Sequence, residues 1–212
     1  MSDTCCSPRP NPSDASPRYR RVLWLALLVN AAMFAVELAG GWSARSASLL
    51  ADAVDFFGDA ANYGLSLAVL GTGLAWRARA ALCKGLTMGA FGAFVLGKAA
   101  WQWSAGSVPD VVTMGAIGLL ALAANVAVAA MLYAWRDGDA DMRSVWLCTR
   151  NDAIGNLAVL AAALGVFGTG HGWPDLAVAA VMGVLALSAA VSVVRQARDE
   201  LRSAARARSA RA

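Results

Sequence analysis

Residues 48–76, SLLADAVDFFGDAANYGLSLAVLGTGLAW, place Asp52, Asp55 and Asp59 in a segment otherwise suited to lipid. Residues 146–168, WLCTRNDAIGNLAVLAAALGVFG, do the same with Cys148 and Asp152. An acidic side chain at the middle of a bilayer costs ~2.5–3.5 kcal/mol even on lenient insertion scales. Four of them without adjacent compensation demand a physical reason, and the fold follows from finding it.

The surrounding composition leaves no doubt about the solvent. The chain has 212 residues, 58% of them hydrophobic and 15% charged, with a mean hydropathy of +0.53. Soluble domains carry nearer a quarter charged residues. Apolar runs of about 20 residues recur, each long enough to cross ~30 Å of hydrocarbon. The reading is an all-α, polytopic membrane protein, a bundle of six transmembrane helices.

The spans are expected at 22–41, 47–75, 85–104, 110–134, 145–168 and 174–194. Residues 1–21 read as a disordered tail, 22–195 as the membrane domain and 196–212 as a short basic tail. The start lacks the apolar core of a signal peptide. With both termini in the cytoplasm, Arg9, Arg18, Arg20, Arg21, Arg77, Arg79, Lys84, Arg136, Arg143 and the six arginines of 195–211 all fall inside. Arg45 alone lies in an outer loop, while Lys98 and Arg150 fall within spans. Positively charged loops stay in the cytoplasm, so the orientation is both ends inside. The expected location is the plasma membrane, the inner membrane in a Gram-negative cell. Topology accounts for the net charge of +4, which excludes nucleic acid as the implied partner. Cys5, Cys6, Cys83 and Cys148 form no disulfide framework and read as free thiols. Cys5 and Cys6 stand where they could pre-capture a thiophilic ion, and His171, in an outer turn, reads as solvated. Glycine pairs 85/89, 115/118 and 165/168 read as close helix packing.

Residues four apart on a helix share one face. Asp55 with Asp59, and Cys148 with Asp152, are therefore two clips. Arg150 is two residues from each member of the second clip and points elsewhere; it or Lys98 could at most neutralise a carboxylate. The first clip lies ~16 Å from the outer start of its helix and the second ~10 Å from the inner start of its own, so the two can meet in a layer ~30 Å thick. Three carboxylates and a thiolate converging tetrahedrally make a site for a divalent transition metal. Fully deprotonated they carry −4, which a dication half neutralises, so the cluster must exchange protons for metal. Were Cys148 mere filler, Asn151 or Asn156 could supply an oxygen.

The stretch NAAMFAVELAGGWSARSASLLADAVDFFGD resembles the first two helices of the cation diffusion facilitator family, through Asn30, Phe34, Glu37, Gly41, Ser46, Ser48 and the Leu49–Ala53 run. CTRNDAIGNLAVLAAALGVFG resembles the second ligand helix, and GWPDLAVAAVMGVLALSAAVSVVR the sixth. The resemblance implies a proton-coupled exporter of divalent metals with a central site on Asp55, Asp59, Cys148 and Asp152. Asp52 shares part of the face of Asp55 and Asp59 and could support the ligands or help to move protons; Glu37, near the outer end of the first helix, could line the exit path or equally stand as an interfacial carboxylate with water access. Members usually continue into a cytoplasmic metal-binding domain that helps form the dimer; here a homodimer would be made through the helices. Many carry histidine where this chain has Asp55 and Cys148, and a thiolate favours Zn2+ or Cd2+ over Mn2+. The expectation is export of zinc, cadmium or cobalt in exchange for protons, with lipid as the other partner, Zn2+ as the favoured cargo and no resident cofactor. The alternative is a proton- or cation-conducting channel using the acidic cluster as a relay. A membrane metalloenzyme is a third reading, disfavoured because no nucleophile or general base accompanies the clips.

Overall fold

The computed structural model describes residues 17–68, 74–135 and 140–209. The side chains of 66, 74, 75, 77, 135, 140–148, 150 and 207–209 lie outside that description. Among the described residues there are six α-helices, one 3-10 turn and no strand: α1 Pro17–Ser43, α2 Ala47–Ala68, α3 Leu74–Ala105, α4 Val111–Leu132, α5 Ala140–Thr169 and α6 Trp173–Ser209.

Five of these helices, all but α2, contain a segment long and apolar enough to cross a membrane. Helix α2 matches α4 at 22 residues, ~33 Å of helix, but carries three aspartates. It is also the helix that the others surround, with packing contacts to each of the other five. The large apolar side chains that remain exposed, such as Leu28, Leu119, Leu164 and Val184, come from the outer helices, and none comes from α2. Protein therefore solvates the segment that lipid would reject.

The outer surface carries its own ruler. Trp24 and Trp42 of α1 are 51% and 63% exposed, and they stand ~27 Å apart along the helix axis. Trp101, Trp103 and Trp173 are exposed near the Trp42 end, Trp76 and Tyr133 near the other. Two aromatic girdles separated by about the hydrocarbon thickness mark the bilayer interfaces.

The α1–α2 connection is three residues long and fully specified. Ser46 N–H donates to Gly41 O (3.0 Å) and Arg45 N–H to Trp42 O (3.4 Å), the paired bonds of a Schellman ending. Arg45 occupies the left-handed position at φ 55°, where glycine is usual. Its carbonyl is held by the Gln102 amide at 2.6 Å. Ser46 then caps α2, its Oγ accepting from Leu49 N–H at 3.1 Å.

The other half of that cap comes from α6. Asp175, fully buried, accepts from Ala47 N–H (2.8 Å), Ser48 N–H (3.1 Å), Ser46 Oγ (2.6 Å) and Ser48 Oγ (2.6 Å). One carboxylate so takes up the orphan donors and the positive end of the α2 dipole. The starts of α2 and α6 share one end of the bundle, so both ends of the described chain lie at the other.

Helix α3 begins eleven residues before the expected span, because Trp76–Lys84 continues as helix instead of forming a charged connection. Helix α6 likewise runs to Ser209 through the basic tail, aided by i,i+4 and i,i+3 contacts, Gln196–Glu200 (3.0 Å) and Arg202–Asp199 (3.5 Å). Alanine and arginine are strong helix formers, so helices outlast the apolar runs that announced them. Gly85 admits α6 closely, since a Cβ there would stand 2.9 Å from Val194 Cγ2. Gly115 and Gly168 instead face open space.

Replacing Asp175 by alanine strands four donors. The expected loss is at least about 2 kcal/mol, a fall in Tm of ~4–8 °C for a chain of this size, measured by thermal unfolding in detergent. Asp175→Asn keeps an acceptor oxygen and should lose less.

Candidate functional site

The helical period places Asp52, Asp55, Asp59 and Tyr63 along one side of α2, while Phe57 turns toward Phe34 of α1 and Phe91 of α3, with ring centroids 5.5 and 5.9 Å away. On α5 the same period puts Asp152 and Asn156 one turn apart.

The structure brings Asp59 and Asp152 within hydrogen-bonding reach across the α2–α5 interface. Both are carboxyls, so they pair only through a proton or a shared cation. One Asp152 oxygen is buried with no hydrogen-bond partner. Asp55 lies within electrostatic range of Asp152, and Asp55, Asp59 and Asp152 are all half-buried. Cys148 belongs to α5, but its side chain is outside the described residues, as are Cys5 and Cys6. Among the described residues no three His, Cys, Asp or Glu side chains gather tightly enough to hold a metal ion.

The surroundings contain groups that the apolar-run reading missed. Tyr63 reaches Asp59 and also bonds Thr149 Oγ1 at 2.7 Å. Lys84 donates to Asn62 Oδ1 and stands close enough to Asp59 to attract it. It was expected in a cytoplasmic connection; because α3 starts early, it enters the bundle instead. Lys84 also lines a cavity of about 500 Å³ between α2 and α3, with Ala61, Gly64, Leu65, Trp76 and Ala80. Spacing offered a signal here, for Asn62 and Tyr63 are three and four residues beyond Asp59.

Lys98 does not neutralise a carboxylate: its ammonium lies over the Trp42 ring, 4.0 Å from the centroid. The Arg150 side chain is outside the description. His171 is exposed, with Nδ1 2.6 Å from Thr169 O. Asn151 is exposed.

Asn156 is committed elsewhere. Its Nδ2 donates to Asp52 Oδ2 at 2.7 Å, and its Oδ1 accepts from Asn125 Nδ2 at 2.8 Å. Asp52 in turn meets Glu37 of α1 within hydrogen-bonding reach. A polar chain thus links α4, α5, α2 and α1 beside the clips.

Comparison with protein families agrees with this architecture. Residues 23–78 and 76–202 match the model described as the cation efflux transmembrane domain. The chain belongs to the cation efflux family. It is a multi-pass membrane protein that carries cations. No curated protein matches it.

Lys84→Gln tests the charge balance of the site. Losing a hydrogen-bonded cation beside Asp59 should destabilise the metal-free protein by about 1.5–3 kcal/mol, measured by unfolding in detergent.

Proposed function

We propose that the chain exports divalent transition metals, zinc, cadmium or cobalt, in exchange for protons. Asp55, Asp59, Asp152 and Cys148 are the donors to the transported ion. The reading rests on one observation above all, the meeting of the Asp59 and Asp152 carboxyls across α2 and α5.

Elementary electrostatics supplies the exchange. Two carboxyls in contact cannot both stay ionised in a poorly polarisable interior without a cation. A dication supplies that charge when present, and a proton supplies it when the metal leaves. Lys84 partly offsets the cluster, which keeps the empty site from holding more protons than the cycle releases. A thiolate at Cys148 biases the site toward thiophilic ions. With the arginine-rich end in the cytoplasm, the cavity beside Lys84 opens on the side from which metal is collected.

The test is metal flux in vesicles containing the purified chain. An imposed pH gradient should drive Zn2+ movement, and Asp59→Ala or Asp152→Ala should reduce it at least 100-fold while the protein still inserts. Native-like flux in either variant removes the site assignment, and a proton leak independent of metal would favour the relay instead. Cys148→Ser should weaken Cd2+ and Zn2+ transport more than Mn2+ or Co2+; an unchanged metal profile makes Cys148 a packing residue.

A further inference from the structure

Among the described residues Glu37 is buried, at 0% exposed, with both of its carboxyl oxygens lacking a hydrogen-bond partner. Its neighbour is Asp52, 1% exposed and a full turn of α2 from Asp55. Asp52 receives one donor, the Asn156 amide.

The direction of the polar chain sharpens the deficit. Asn125 donates to Asn156, and Asn156 donates to Asp52. Both bonds in this series run toward the two carboxyls, and neither ends on Glu37. The Asn125 Oδ1 is itself buried without a partner, so reversing its amide would only move the shortage.

Among the described residues no basic group fills it. Asp55 from α2 adds repulsion to Glu37, Asp152 from α5 stands within electrostatic range of Asp52, and Asp59 lies farther along α2. Asn125 is the polar group that α4 presents to this chain. From α3, Lys84 is at Asn62 and Lys98 over Trp42. From α6, Asp175 is occupied by Ser46 and Ser48.

We propose that Glu37 and Asp52 form a carboxyl pair that holds one occluded proton, a site separate from the Asp55, Asp59 and Asp152 cluster. A proton converts one acceptor into a donor and closes the contact with no added volume. A dication would need several more oxygens, usually including water, and the described residues bring only two acids to this place, both sealed from solvent.

The consequence for transport depends on the metal–proton exchange proposed above. Asn156 lies one turn from Asp152 on α5, and Asp52 one turn from Asp55 on α2. Any displacement of α5 against α2 on metal loading also moves the single donor of the pair. The occluded proton is then released or retained according to the state of the metal cluster.

Infrared difference spectroscopy of the purified, metal-free chain near neutral pH tests the pair directly. The Asp59→Asn/Asp152→Asn double variant serves as background, because it removes the other carboxyl contact. A protonated carboxyl C=O band should persist there and vanish when Glu37→Gln or Asp52→Asn is added. Absence of the band in that background, or its survival in both triple variants, overturns the proposal. Glutamine and asparagine keep the shape and supply the missing donor, and a single symmetric peak in size exclusion confirms folding. In vesicles, a pH gradient that accelerates Zn2+ flux severalfold through the native chain should lose that effect in Glu37→Gln; undiminished acceleration overturns the coupling role. If the native chain moves no Zn2+ at all, the exchange reading fails, and the infrared band still decides the proton site.

Discussion

The contact between Asp175 and the first turn of α2 sets the terms for the remainder of the bundle. A helix with three aspartates gains nothing from lipid, so its position must be held by bonds instead of by burial of an apolar stripe. Asp175 supplies four such bonds to Ser46, Ala47 and Ser48, all charge-assisted and all buried. Because Asp175 opens α6 and α6 grips α3 along its length, the height of α2 is referred to a rigid pair. The three-residue turn through Arg45 ties the same point to α1. Helix α2 therefore has few degrees of freedom at this end, and its acids are presented at a fixed depth.

From that placement the layering follows. Ala26, Asn30, Met33, Glu37 and Gly40 of α1 face inward at helical spacing, and Met114, Gly118, Ala121, Asn125 and Val128 of α4 do likewise. Apolar layers, such as Met33 with Phe56 and Ala121, alternate with polar ones. The polar layers are narrow, and each is closed above and below by packed side chains. Low polarisability of those neighbours is what makes each carboxyl contact so demanding of a cation.

Much of this was legible in the residues. Apolar runs located all six helices, and the four-residue spacing of Asp55 with Asp59 announced a face that Asp152 would meet. The Asp52 and Glu37 positions were visible as anomalies, but their pairing was not, because it depends on the rotation of α1 against α2. Lys84 was misplaced by a rule that ends helices at charges, whereas a bundle admits a lysine that finds Asn62 and Asp59. Lys98, which could at most have neutralised a carboxylate, is met by an aromatic face instead. Asp175 gave the weakest signal of all. In the sequence it is one more polar residue after a proline near a turn, and only the fold reveals that the open end of another helix lies against it.

The same cap also bears on how the chain is built. Ser48 and Asp175 are 127 residues apart, so at ~5–20 residues per second of synthesis the capping carboxylate emerges roughly 6–25 s after the helix it secures. At the start of that interval α2 has only α1 beside it, and of all its neighbours α6 arrives last. The ribosome thus releases the least lipid-tolerant segment early and its fastener last, which makes the nascent chain depend on temporary shelter at the site of insertion.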